Sequence, residues 1–135
     1  MQRTQKVQRE KGYRKLLVWQ KVHQFVLDVY KATLNFPKEE TFGLTSQLRR
    51  AAVSVGANIV EGQAQHTRLQ YLQFLNHSNG SLAEVEYYIE LVRDLGYFSA
   101  EMYDKLENQR REIGFLLYQL MTSLKRAQLK NSERV

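Results

Sequence analysis

Wound into a helix, residues 43–62, Gly-Leu-Thr-Ser-Gln-Leu-Arg-Arg-Ala-Ala-Val-Ser-Val-Gly-Ala-Asn-Ile-Val-Glu-Gly, leave almost no face for water. At about 100° per residue, Leu44, Leu48, Ala51, Ala52, Val55 and Ile59 fall on one side, and Val53, Gly56, Ala57 and Val60 fall roughly opposite. A helix apolar on two sides needs two surfaces to pack against. Between them runs a polar stripe, Gln47, Arg50, Ser54, Asn58 and Glu61, stepping by three or four residues so that its side chains lie one above another. Any fold for this chain has to cover the second apolar face and give that stripe partners.

Three other stretches carry the same helical period. From Tyr13 to Phe36 the apolar residues Val18, Val22, Phe25, Val29, Ala32 and Phe36 are spaced by fours and threes, and Pro37 ends the run. From Arg68 to Leu95 the seam is Tyr71, Leu75, Ser78, Leu82, Val85, Ile89 and Val92, broken only by Ser78. Asn79-Gly80 is a local turn signal, but the heptad register passes through it unchanged, so one long helix is expected, with Gly80 allowing close backbone approach. Gly62 and Gly96 are placed to end helices two and three, and Ser99 to cap the fourth. That helix runs from Ala100 to Lys125 or beyond on Met102, Leu106, Ile113, Leu116, Leu117, Leu120 and Leu124. Four helices, short connections and one proline predict an all-α fold, an antiparallel up-down-up-down four-helix bundle spanning residues 13–128. Residues 1–12 read as a disordered basic arm and 129–135 as a disordered tail.

The formal net charge of +6 is unevenly spread. Residues 1–15 hold six Lys or Arg and one Glu, and residues 125–135 hold four and one, so the stretch between is left at −2. Basic ends of this kind attract phosphate backbones by general electrostatics. With no cysteine, no apolar leader and no run of eighteen apolar residues, the expected setting is the reducing cytoplasm, away from membranes.

Catalytic and metal constellations do not assemble. Carboxylate-bridged metal pairs in bundles need Glu-x-x-His on two helices, whereas Glu84, Glu86 and Glu90 are followed three residues on by Tyr87, Ile89 and Arg93. His66 and His77 are three turns apart and His23 stands alone. No glycine-rich phosphate loop and no nucleophile, base and orienting carboxylate set can be spaced out. No enzyme, cofactor or metal site is expected.

An unpaired charge beside an apolar seam costs several kcal/mol. The stripe therefore predicts an interface network of Gln47, Arg50, Ser54, Asn58 and Glu61 with Glu84 and Glu86, between helices or between subunits. These same residues carry a family resemblance. The run from Gly43 to Ala52, Ser54, and Asn58-Ile59-Val60-Glu61-Gly62 resemble the signature of four-helix-bundle proteins encoded in intervening sequences of bacterial large-subunit ribosomal RNA genes. Leu17-Val18-Trp19, Phe36-Pro37, Phe74-Leu75, Gly80-Ser81-Leu82-Ala83-Glu84-Val85-Glu86 and Leu95-Gly96-Tyr97 match the same pattern, so the resemblance covers residues 13–125. Val60 replaces the family's alanine. Members of that family are similar to the accessory variability determinant of diversity-generating retroelements, a homopentameric bundle that binds a reverse transcriptase and nucleic acid. The resemblance implies a ring-like homo-oligomer of five bundles whose partners are RNA, a reverse-transcriptase-like protein or a ribosomal protein.

Two functions follow as expectations. In the first the oligomer binds RNA or other nucleic acid through phosphate contacts by Arg14, Lys15, Lys21, Arg110, Arg111, Lys125 and Arg126. In the second it is a protein-interaction scaffold without a nucleic-acid role.

Overall fold

The computed structural model describes residues 12–133, and every regular element among them is helical. A single 3-10 turn, Gly12–Lys15, precedes α1 (Leu17–Ala32). A second short turn, Lys38–Glu40, leads to α2 (Leu44–Gln63), followed by α3 (Arg68–Asp94) and α4 (Ala100–Glu133). Each helix packs on two neighbours, α1 on α2 and α4, and α3 on α2 and α4, which closes a four-helix bundle. Residues 1–11 of the expected basic arm lie outside the described residues.

Phe25, Val29, Leu48, Val55, Ile59, Leu75, Val85, Ile89, Leu106, Ile113 and Leu117 form the fully buried centre of the core. The one polar residue in the α3 seam, Ser78, is also fully buried, and its hydroxyl donates to the Val55 carbonyl of α2 at 2.7 Å. The interruption in the apolar register is thus a hydrogen bond between helices, which removes the cost of burying the hydroxyl.

Several boundaries differ from the periodicity. α1 ends at Ala32, four residues before Phe36: the chain tightens into turns, the Leu34 N–H on the Lys31 carbonyl and the Phe36 N–H on the Thr33 carbonyl, and Pro37 disfavours helical backbone at the residue before it. Phe36 then stacks against Tyr97 and Phe98, with ring centres 5.5 and 5.3 Å apart, and ties the α1–α2 connection to the α3–α4 connection. α4 continues to Glu133, so residues 129–133 are helical and not a disordered tail. No glycine or proline interrupts Lys125–Glu133, and the residues there are mostly good helix formers. Ser99 caps α4 as expected, accepting from the Met102 N–H at 3.1 Å.

The glycines exchange roles. Gly96 ends α3 at φ +80°, where its C-terminal turn closes through the Tyr97 N–H to the Val92 carbonyl at 3.0 Å. Gly62, expected as a helix end, lies inside α2 and is buried, and a Cβ there would stand 2.9 Å from Tyr71 Cδ1 and 3.0 Å from Phe74 Cβ. Gly80, expected to admit a neighbouring backbone, faces open space. The glycine that admits a close neighbour is therefore Gly62 at the α2–α3 corner and not Gly80 midway along α3.

The second apolar face of α2 is only half covered. Trp19, Val22 and Val26 of α1 flank Gly56 and Val60 in a shallow groove, while Val53 and Ala57 remain exposed at its rim.

The two glycines supply a paired prediction. Gly62→Ala should destabilise the fold by about 1–3 kcal/mol through overpacking, and Gly80→Ala should stabilise it by about 0.5–1 kcal/mol, the helix-propensity gain at an open site. Chemical denaturation of the two variants reads both signs. A stabilising Gly62→Ala would contradict the packing described.

Candidate nucleic-acid interface

In an up-down-up-down bundle the start of α1, the end of α2, the start of α3 and the end of α4 lie at one pole, here termed the basal end. The register is set by specific contacts. Glu86 meets Arg110 at 3.3 Å, and Leu82 lies beside Gly114, so α3 and α4 run antiparallel with residue 72 beside residue 125. Between α1 and α4, Lys21 meets Glu112 at 3.2 Å and the Gln109 amide donates to Asp28 at 2.7 Å. Gly12 sits against Gln63, which places the 3-10 turn at the same pole.

This arrangement sorts the seven candidate cations into two groups. Arg14, Lys15, Lys125 and Arg126 are exposed at the basal end, and none is in an ion pair among the described residues. The other three are occupied at the waist. The Arg110 side chain is only 14% exposed and is held by Glu107, through Nε at 2.9 Å and a second contact from the other nitrogen, and by Glu86. Arg111 also donates to Glu107, at 3.2 Å, and Lys21 is matched by Glu112. Arg110 is thereby removed as a phosphate contact, because freeing it would leave the buried Glu107 carboxylate without its main partner. The basal end adds two cations that sequence reasoning left out, Arg68 at the start of α3 and Lys130 near the end of α4.

The polar stripe of α2 finds its partners on α3. Arg50 bonds Glu84 at 3.0 Å and Gln47 at 3.3 Å, and Glu84 also accepts from the Tyr88 hydroxyl. Below this pair the hydroxyls of Ser54 and Ser81 meet at 2.8 Å, and the Asn58 amide donates to the Ser54 carbonyl and hydroxyl. Glu61 departs from the expectation. Its side chain is exposed and in none of these bonds, since it sits at the last turn of α2, where water supplies what a partner would. Glu86 belongs to the Arg110 cluster and not to the stripe.

Two buried carboxylates were not anticipated. Asp28 is held by Gln24 at 3.1 Å and by Gln109, with Lys105 at 3.9 Å. Glu107 lies under Arg110 and Arg111. Sequence signals existed for both: Asp28 immediately precedes the seam residue Val29, and Glu107 stands three and four residues before a pair of arginines, the spacing of helical ion pairs. Hydrogen bonding from Arg110 holds the Glu107 carboxyl below the usual carboxylate range, against the opposing effect of its burial. Among the described residues no group of three or more His, Asp or Glu is placed to hold a metal ion, and no helix is long and apolar enough to cross a membrane.

Fold and site together define a class: an all-α up-down-up-down bundle with an ion-paired waist and an unpaired basic pole. Comparison then places the chain within it. The chain belongs to the 23S rRNA-intervening sequence protein family, whose profile matches residues 14–119. It is similar to a crystal structure of a protein of unknown function from the S23 ribosomal protein family of Bacteroides thetaiotaomicron VPI-5482. The two are 29% identical with a TM-score of 0.70, and the match covers 78% of this chain and 98% of the other. No curated protein matches.

The Glu107 cluster makes stability pH-dependent with a defined sign. A carboxylate whose folded pKa is depressed adds stability that is present above its unfolded value, about 4.3, and is lost as pH falls through the folded value. Thermal melts of Glu107→Gln should therefore fall short of the wild type most at neutral pH, with the gap closing below about pH 4. A gap that stays constant down to pH 3 would contradict the assignment.

Proposed function

We propose that this protein is a non-enzymatic, self-associating accessory protein that holds RNA by its phosphate backbone at the basal end of the bundle. The supporting observation is the polarity of the α3–α4 hairpin. Its basal parts, residues 68–83 and 113–133, carry four cations and one carboxylate, Glu133 at the helix end. Its distal part, residues 84–112, carries eight carboxylates against four cations. A polyanion approaching such a field is drawn to one end and repelled from the other. The family's name links its members to ribosomal RNA genes, which agrees with RNA as the polyanion.

A half-covered apolar face supports the self-association in this reading. The apolar groove between α1 and α2, lined by Trp19, Val22, Val26, Val53, Gly56 and Val60, offers a further copy a surface to cover. The family resemblance suggests five copies. In a ring with parallel bundle axes, all basal ends share one rim and their cations act together. A second reading, a scaffold for a polymerase-like or ribosomal protein, is favoured by an apolar groove between α3 and α4 where Leu69, Leu72 and Leu129 lie together.

The test is purification in low salt, measurement of mass in solution, and comparison of absorbance at 260 and 280 nm before and after a high-salt wash. Co-purifying nucleic acid that salt removes is the expected result. An intact oligomer that never carries nucleic acid would overturn the RNA reading in favour of the scaffold. In titrations, Lys125→Glu/Arg126→Glu should lower the slope of log affinity against log salt by roughly 0.7 for each phosphate that is no longer neutralised. Arg110→Gln should lower stability and leave that slope unchanged.

A further inference from the structure

Below Glu112 the outward side of α4 carries Phe115, Tyr118, Thr122, Arg126 and Lys130. Steps of three, four, four and four residues keep these side chains within about a third of the helix circumference. The stripe faces away from the core: Ile113, Leu117 and Met121 on the opposite side are buried, whereas Phe115 and Tyr118 are 60% and 67% exposed. Tyr118, Thr122, Arg126 and Lys130 share one continuous surface.

Large aromatic rings kept in water on a helix of a small bundle carry a cost that the core does not require. Here they occur where the helix is poor in carboxylates: residues 113–132 hold none, and of the two that bound the stretch Glu112 is matched by Lys21 at 3.2 Å and Glu133 is the last residue of the helix. The α1–α4 register carries Arg14 and Lys15 to about the height of Tyr118 and Thr122. On α4 the two rings are thus followed by two exposed cations, Arg126 and Lys130. The fifteen residue steps from Phe115 to Lys130 span about 23 Å, room for on the order of seven nucleotides stacked at about 3.4 Å each.

We propose that this stripe binds single-stranded nucleic acid, with unpaired bases stacking on Tyr118 and Phe115 while Arg126 and Lys130 hold the phosphates beyond them, toward the basal end. The proposal rests on the phosphate-backbone reading and narrows it to a substrate class. A duplex keeps its base faces stacked inside and offers the rings nothing, whereas a single strand presents a π-face at every nucleotide. Stacking of this kind tolerates any sequence, so the site discriminates strandedness and not base identity.

Two ligands separate the contributions: an oligoadenylate, and an abasic oligomer of the same length that keeps the phosphates and lacks the bases. With the full-length protein and fluorescence anisotropy, Tyr118→Ala should weaken oligoadenylate binding about tenfold and leave the abasic oligomer unaffected. Tyr118→Phe, which keeps the ring, should restore wild-type binding. Arg126→Gln should weaken both ligands together. Equal affinity of wild type and Tyr118→Ala for oligoadenylate, or an equal loss for both ligands, overturns the stacking proposal while leaving the phosphate reading in place. If Tyr118→Ala instead changes the oligomer's mass in solution, the stripe is a protein interface and the proposal fails. Failure of the wild type to bind either ligand overturns the proposal together with the reading beneath it.

Discussion

The register in which α3 and α4 pass one another decides where the charges of this molecule lie. It is held by the ion pair of Glu86 with Arg110 and by the seating of Leu82 beside Gly114, with Glu107 drawing Arg110 and Arg111 into the same cluster. Around that waist the hairpin is divided. One direction leads to Asp94, Glu101 and Asp104, the other to Arg68, Lys125, Arg126 and Lys130. Sliding one helix by a turn would separate Glu86 from Arg110 and leave buried Glu107 as the principal counter-charge. The Glu86–Arg110 pair and the core packing between α3 and α4 thus agree on one register, and that register keeps the charge gradient aligned along the bundle axis.

The α2–α3 interface does a different job with neutral groups. Ser78 reaching the Val55 carbonyl, Ser54 meeting Ser81, and Asn58 folding back on Ser54 link the two helices by short side chains that permit close approach. Gly62 continues that closeness to the corner, beneath Tyr71 and Phe74. Residues that look chemically interesting in the sequence thus serve to hold two helices together. The groups left for a ligand are at the basal end, where exposed cations outnumber the two carboxylates, Glu61 and Glu133.

What could be read from the sequence follows from what is local. Helical spans, the Ser99 cap, the end of α3 at Gly96 and the continuity of α3 through Asn79-Gly80 depend on residues three or four apart, and periodicity reports them directly. The roles of Gly62 and Gly80 depend on what stands opposite them, which no period along one helix contains. The same holds for Arg50, whose partner Glu84 is thirty-four residues away, and for Glu61, which the stripe includes and solvent satisfies. Charge is an instructive middle case. Segregation of acids into residues 84–112 is visible in the sequence, but it becomes a pole only when the antiparallel pairing folds both flanks to one end. Arg110 and Arg111 read as free cations although their spacing from Glu107 is written in the sequence, because the burial that makes Glu107 hold them is not.

The central claim is that nucleic acid meets this protein at the basal end of its bundle. Photocrosslinking to a single-stranded RNA carrying 4-thiouridine, followed by identification of the attached peptides, locates the contact without altering any residue. Crosslinks falling within residues 12–21, 66–73 and 113–132, and absent from residues 84–112, are the result this structure predicts. Crosslinks concentrated in residues 84–112, at the acidic pole, would contradict it.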